Sequence, residues 1–363
     1  MKRLGWLFLA ALFNCAVASG PTAASSRPEL LAVVAASIDQ HILPSHAALK
    51  DSTQELHADL KEWCANGGGS GPARTAVHQS FERSVRSWAA ISFLRFGPAR
   101  KNSRQQRLGF FPDPRGVTLR QLGAVLKRKD PKLLEPGALA RQSAALQGFP
   151  ALEALLFQHE SVEPDPYACD LAVAISANAA TLAQELADEW TGDQGWRGLM
   201  LTPGPHNPVY KTDEEAAGEL VKALLTGLQI LRDQGFEAML VAAEKGRDRM
   251  GLAFERSGLA RAFLLETARS CAALVEKLQL GDFVKANPQT TWMDRWIKNA
   301  LRNLQSDIEA MPMTAAAVIS TPAQGTNLVR RGRFYSNGLR QIIGRQVAPT
   351  AGLTLGFNEL DGD

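Results

Sequence analysis

The chain holds only four cysteines and three tyrosines, carries little excess charge of either sign, and shows no convincing period-two alternation of apolar and polar residues. Missing strand alternation removes sheet folds from consideration. Lysine and arginine total 40 against 37 aspartates and glutamates, a formal charge of +3, which lacks the basic surplus that a nucleic-acid partner requires. After the N-terminus, no apolar run approaches the roughly 20 residues needed to cross a bilayer. Also absent are His-Glu-x-x-His, paired Cys-x-x-Cys, Gly-x-Ser-x-Gly and a glycine-rich phosphate loop. The usual hydrolase and nucleotide-binding signatures are therefore missing.

What is present begins with Met1-Lys2-Arg3, an apolar segment from Leu4 to Leu12, and Ala16-Val17-Ala18. That pattern predicts a secretory signal over residues 1–18, cleavage after Ala18, and a periplasmic or secreted protein. Its removal takes Lys2 and Arg3 and lowers the formal charge from +3 to +1. Cys15 follows Phe13 and Asn14 rather than small residues, so lipid attachment is not expected. Cys64, Cys169 and Cys271 remain. In an oxidising compartment one pair can bridge, and Cys64 with Cys169 is the favoured pairing because both lie near ends of long helices in the same half; three buried thiols are the alternative.

Helical periodicity dominates the rest. Ala217, Leu220, Val221, Leu224, Leu228 and Leu231 recur with the spacing of one helical face. Long helices are predicted over residues 28–66, 75–96, 138–157 with a break near 148, 166–190, 212–234, 258–279, 290–310 and 326–345. The Gly67 to Pro72 turn separates the first two. The proline- and glycine-rich stretch 191–213 reads as a connection between an N-terminal half, 19–190, and a C-terminal half, 214–363. Four helices on each side predict an all-α fold of two four-helix-bundle-like domains packed side by side.

Gly148-Phe149-Pro150-Ala151-Leu152-Glu153, running into Ala154-Leu155-Leu156-Phe157, resembles the signature of the imelysin-like family, Gly-x-His-x-x-Glu, with Pro150 where the histidine stands. A His and a Glu three residues apart share a helical face and can offer two donors to one cation. Pro150 offers none. Because proline has no N–H, the helix is expected to break at Gly148, with Pro150 in the first turn of a new helix and Glu153 near its positive end. Phe93-Leu94-Arg95-Phe96-Gly97-Pro98 is similar to the family's Arg-Phe-Gly turn, Phe254-Glu255-Arg256-Ser257-Gly258 to an element opening a helix in its second half, and Gly356 to Asp363 to its usual ending. The resemblance implies two helical bundles with the signature facing the groove between them.

Glu153 leads the site candidates. It is either an ion-paired surface glutamate or a cleft residue, since a charge inside Ala-Leu-Glu-Ala-Leu-Leu-Phe interrupts an apolar stripe. A replacement for the lost imidazole would come from His41, His46 or His57, with His41 the candidate metal ligand beside Glu153; each also reads as an ordinary surface or core histidine. Arg95 either pins a loop by pairing with Glu153 or Glu255, the favoured role, or holds an anionic group of a ligand. Glu255, Arg256 and Ser257 complete the set of ligand-binding candidates, with Ser257 also a candidate helix cap. The basic run Arg100, Lys101, Arg104 and Arg107 reads as a solvated loop.

From the resemblance follows an expected link to iron or other metal uptake in the bacterial envelope, with envelope or metal-uptake proteins as partners and a divalent or ferric ion as ligand, weakened by loss of the motif histidine. A non-catalytic binding protein is the first expectation. The alternatives are an imelysin-type metallopeptidase with Glu153 as general base, and a structural or partner-binding envelope protein. Nucleic acid and transmembrane segments are not expected.

Overall fold

The computed structural model describes residues 29–157, 165–192, 194–247, 249–285, 287–320 and 325–355. The signal segment, Pro28 and the family-like ending from Gly356 lie outside them. The described residues are helical and contain no strand. Helices α1 (Leu30–Ser37) and α2 (Leu43–Ala65) run as one rod, with a π turn at Ile38–Ile42 between them. Pro44 has no N–H to return to the preceding turn, so the ladder widens just before it. The same arrangement recurs at Ile343–Val347, just ahead of Pro349.

Next come α3 (Pro72–Ile91), α4 (Arg104–Leu108), α5 (Val117–Arg128) and α6 (Phe149–Leu156). The expected helix from 138 is a correction: only Phe149–Leu156 is α-helical, and the preceding residues form short 3-10 turns at Leu139–Arg141 and Ala144–Leu146. Ser143 accepts a hydrogen bond from the Ala145 amide, giving the backbone a local alternative to a continuous ladder. In this stretch α4 and α5 lie outside the predicted helices, as the helices Trp196–Leu201, Ala238–Glu244, Leu280–Lys285 and Ala315–Ser320 do further on. Helix α5 is started by Asp113, whose carboxylate oxygens accept from the amides of Val117 and Thr118 at 2.8 Å each.

Helix α7 (Pro166–Thr191) is capped by Asp165, which accepts from the Tyr167 amide at 3.0 Å. The 191–213 stretch is itself folded. It holds α8 (Trp196–Leu201) and a turn organised by Asn207, whose amide group donates to the carbonyls of Leu199 and Thr202 and accepts from the amides of Val209 and Tyr210. Thr212 then caps α9 (Asp213–Ile230), which continues through a π turn at Leu231–Glu237 into α10 (Ala238–Glu244). The remaining helices are α11 (Ala260–Lys277), α12 (Leu280–Lys285), α13 (Trp292–Ala310), α14 (Ala315–Ser320) and α15 (Thr326–Ile342).

In the N-terminal half α2 packs against α3 and α7; in the C-terminal half α11 packs against α9 and α13, and α13 against α15. The halves meet where α3 packs on α11, and α1 crosses over to pack on α8, α9 and α11. Buried apolar side chains from both halves form one continuous core. Contact across the halves is close. Gly227 of α9 is closely approached by Phe93 and Cys271: an added methyl would meet the sulfur at 2.5 Å. Cys64 and Cys169 are joined in a disulfide that ties the end of α2 to the start of α7, with Cα atoms 5.7 Å apart; Cys271 is a buried thiol.

Candidate functional site

Helix α6 begins where Gly148 passes against the carbonyls of Arg107 and Leu108. A methyl group there would lie 2.3 and 2.2 Å from those two oxygens, so only glycine permits this approach. Gly148 is the N-cap, and Pro150 sits in the first turn, where no intrahelical N–H is owed. One turn on is Glu153, 7 % exposed. Its Oε1 accepts hydrogen bonds from the amide and the hydroxyl of Ser257, at 2.9 and 2.8 Å. This pair bridges 104 residues of sequence and fastens α6 to the loop before α11. Burial pushes the Glu153 carboxyl above its ordinary value; the Ser257 hydrogen bonds and the nearby charge of Arg256 act against that rise.

Ser257 does not cap α11. The N-cap is Leu259, without a side-chain hydrogen bond, and the serine hydroxyl is committed to Glu153 instead. Glu255 organises its own loop. Its carboxylate accepts from the amides of Met250 at 2.8 Å, Gly251 at 2.9 Å and Leu252 at 3.4 Å. The loop is tight enough to put the non-glycine Phe254 in the left-handed region, at φ 58°.

Pro150, Glu153, Arg95, Glu255 and Arg256 all line one cavity of about 430 Å3. Tilted and edge-on ring contacts support its wall: Trp88 lies 6.1 Å from Phe149, which lies 6.4 Å from Phe254. The lining residues come from α3, α4, α6, the 109–119 segment, the α9–α10 rod, Arg247, residues 249–256 and α11, elements from both halves of the chain. Ser257, which does not line it, acts one layer behind through Glu153.

The histidines of the first rod are elsewhere engaged, and none lines this cavity. His41 hydrogen-bonds Ser270 at 3.0 Å, and burial lowers it to about 4. His46 uses both nitrogens, with the Ile42 carbonyl at 2.8 Å and the Trp190 indole at 3.2 Å, leaving no lone pair for an ion. His57 sits 3.0 Å from the Ser176 hydroxyl. Among the described residues no group of three or more His, Cys, Asp or Glu side chains is placed to hold a metal. Proline stands at 150 and Glu153 Oε1 is occupied by Ser257. The donor set does not fit a protein-held ion.

The basic run is another correction, since Arg104 is 3 % exposed and not solvated. Its guanidinium donates to Glu185 and Glu189, both at 2.9 Å, and to the Pro98 carbonyl at 3.1 Å, locking the Arg-Phe-Gly segment onto α7. Lys101 adds a contact to Glu189 at 2.7 Å, and Arg107 donates to Gln147 just ahead of Gly148.

The imelysin profile matches residues 42–333. The chain belongs to the imelysin family. No curated protein matches its sequence significantly. Among solved structures, an imelysin-like protein from Psychrobacter arcticum 273-4 superposes with a TM-score of 0.73 at 18 % identity, covering 90 % of this chain and 97 % of that one. An iron-regulated protein A precursor from Parabacteroides distasonis ATCC 8503 gives 0.71 at 13 % identity, covering 90 % and 96 %. At these identities both likenesses establish the imelysin-like all-α fold.

Proposed function

We propose that this chain is an extracytoplasmic, non-catalytic binding protein of the imelysin family, linked to iron or other metal uptake, with its ligand in the cavity between two helical bundles. The observation that carries this reading is the Glu153–Ser257 bridge. The signature glutamate serves as a clamp between α6 and the 254–258 loop, beside a proline that supplies no donor. A zinc peptidase needs three protein ligands and an open position for water, and the described residues around Glu153 do not supply them. The iron-regulated name of one structural neighbour and the N-terminal signal pattern support the envelope setting. Envelope proteins of metal uptake are the partners this reading implies. The test is proteolysis of casein and of short peptides by the purified protein, with and without a chelator. The expected result is no chelator-sensitive cleavage. Cleavage abolished both by chelator and by Glu153→Gln would overturn the reading in favour of a metallopeptidase.

A further inference from the structure

Among the described residues, the charged side chains lining the cavity are Arg95, Arg247, Arg249 and Arg256 against Asp113, Glu153 and Glu255, with no lysine or histidine. The three acids are already engaged. Asp113 holds the first amides of α5, Glu255 holds three amides of its loop, and Glu153 holds Ser257. Arg247 and Arg249 are exposed at the rim and pair with no carboxylate among the described residues, and Arg256 lies at the Glu153 end. The rest of the wall is largely apolar and aromatic, including Trp88, Phe111, Phe254 and Phe263.

We propose that the cavity takes an organic anion, a flat carboxylate whose body packs on the rings while its charge is met by the guanidinium groups of Arg247, Arg249 and Arg256. Planar guanidinium forks suit carboxylates and also stack on aromatic faces, whereas they repel a bare cation. The inference rests on the reading of this cavity as the ligand site. It adds that a metal reaching the site does so as the anionic chelate of such a carboxylate; the free anion and the chelate share the chemistry that the arginines recognise.

The test is calorimetric titration of the purified protein with 2,3-dihydroxybenzoate, with its ferric complex, and with catechol, which keeps the ring and lacks the carboxylate. One-to-one binding of the acid or its ferric complex is expected, with catechol weaker by about tenfold or more, as loss of a charge-assisted contact implies. Arg247→Glu with Arg249→Glu should lower anion affinity by at least about tenfold. Arg345→Glu, an exposed charge reversal away from the cavity, should leave it unchanged. The ferric and free arms separate the two sources. Equal binding of catechol and acid, or no effect of the double reversal, overturns the anion inference and leaves a binding protein of another specificity. No binding of any of the three overturns the anion inference and the binding-protein reading together.

Discussion

Ser257→Ala isolates the bridge that closes the site. The substitution removes the hydroxyl 2.8 Å from Glu153 Oε1 and leaves the Ser257 amide at 2.9 Å as the remaining observed donor to that oxygen. A hydrogen bond to a buried charged acceptor is worth about 1.5–3 kcal/mol, so that loss is expected near neutral pH. The cost must depend on pH. Burial holds the Glu153 carboxyl above its ordinary 4.5, so the folded chain binds this proton more tightly than the unfolded chain. The residue's contribution to stability is therefore complete below about 4.5 and is lost as pH rises through the folded value. Removing a donor to the ionised form raises that value further, so Ser257→Ala should cost more at about pH 7 than at about pH 4. Glu153→Gln discards the charge while its amide oxygen still accepts from Ser257. It should hold stability within about 1 kcal/mol of wild type at neutral pH, and on that background Ser257→Ala should cost about 0.5–1.5 kcal/mol at either pH. Urea unfolding followed by far-ultraviolet circular dichroism reads all four proteins. A cost for Ser257→Ala that is the same at both pH values would refute the argument.

Gly148→Ala should destabilise by about 2–4 kcal/mol, because the new methyl meets two backbone oxygens that have no side-chain freedom to yield, whereas Gly123→Ala in the exposed middle of α5 meets nothing within 4 Å and should stabilise by about 0.5–1 kcal/mol. Urea midpoints of the two variants should therefore move in opposite directions. The Cys64–Cys169 bridge closes a separation of 105 residues, for which chain entropy predicts up to about 4–5 kcal/mol. Reductant should lower the melting temperature of wild type and leave that of the Cys64→Ala, Cys169→Ala protein unmoved; equal sensitivity would contradict the bridge.

The helices were legible where one apolar stripe met one buried face. Leu220, Val221, Leu224, Leu228 and Leu231 are all fully buried, as their spacing requires. Residues 138–148 misled because alanine and leucine favour helix locally, while Ser143 and the Gly148 contact with the 107–108 carbonyls impose turns. Helix α5 had readable signals in Asp113 ahead of it and Lys127 and Arg128 in its last turn, set against a composition otherwise rich in loop residues. The Glu153–Ser257 bridge had no such signal. Each residue stood out on its own, yet a contact spanning 104 positions is created by how α6 and the 254–258 loop pack, and periodicity carries nothing about that. The same holds for Arg104, whose neighbours in sequence read as solvent-facing and whose partners lie on α7.

Titration of purified wild type, Pro150→His and Glu153→Gln with zinc(II), copper(II) and iron(II) asks whether proline at 150 leaves the imelysin signature without a metal site. Pro150 and Glu153 line the same cavity three residues apart on one helix, so a histidine at 150 places an imidazole beside the carboxylate. Weak or no binding by wild type is expected, together with an affinity raised by about tenfold or more in Pro150→His. Tight one-to-one binding by wild type that disappears in Glu153→Gln would contradict the account.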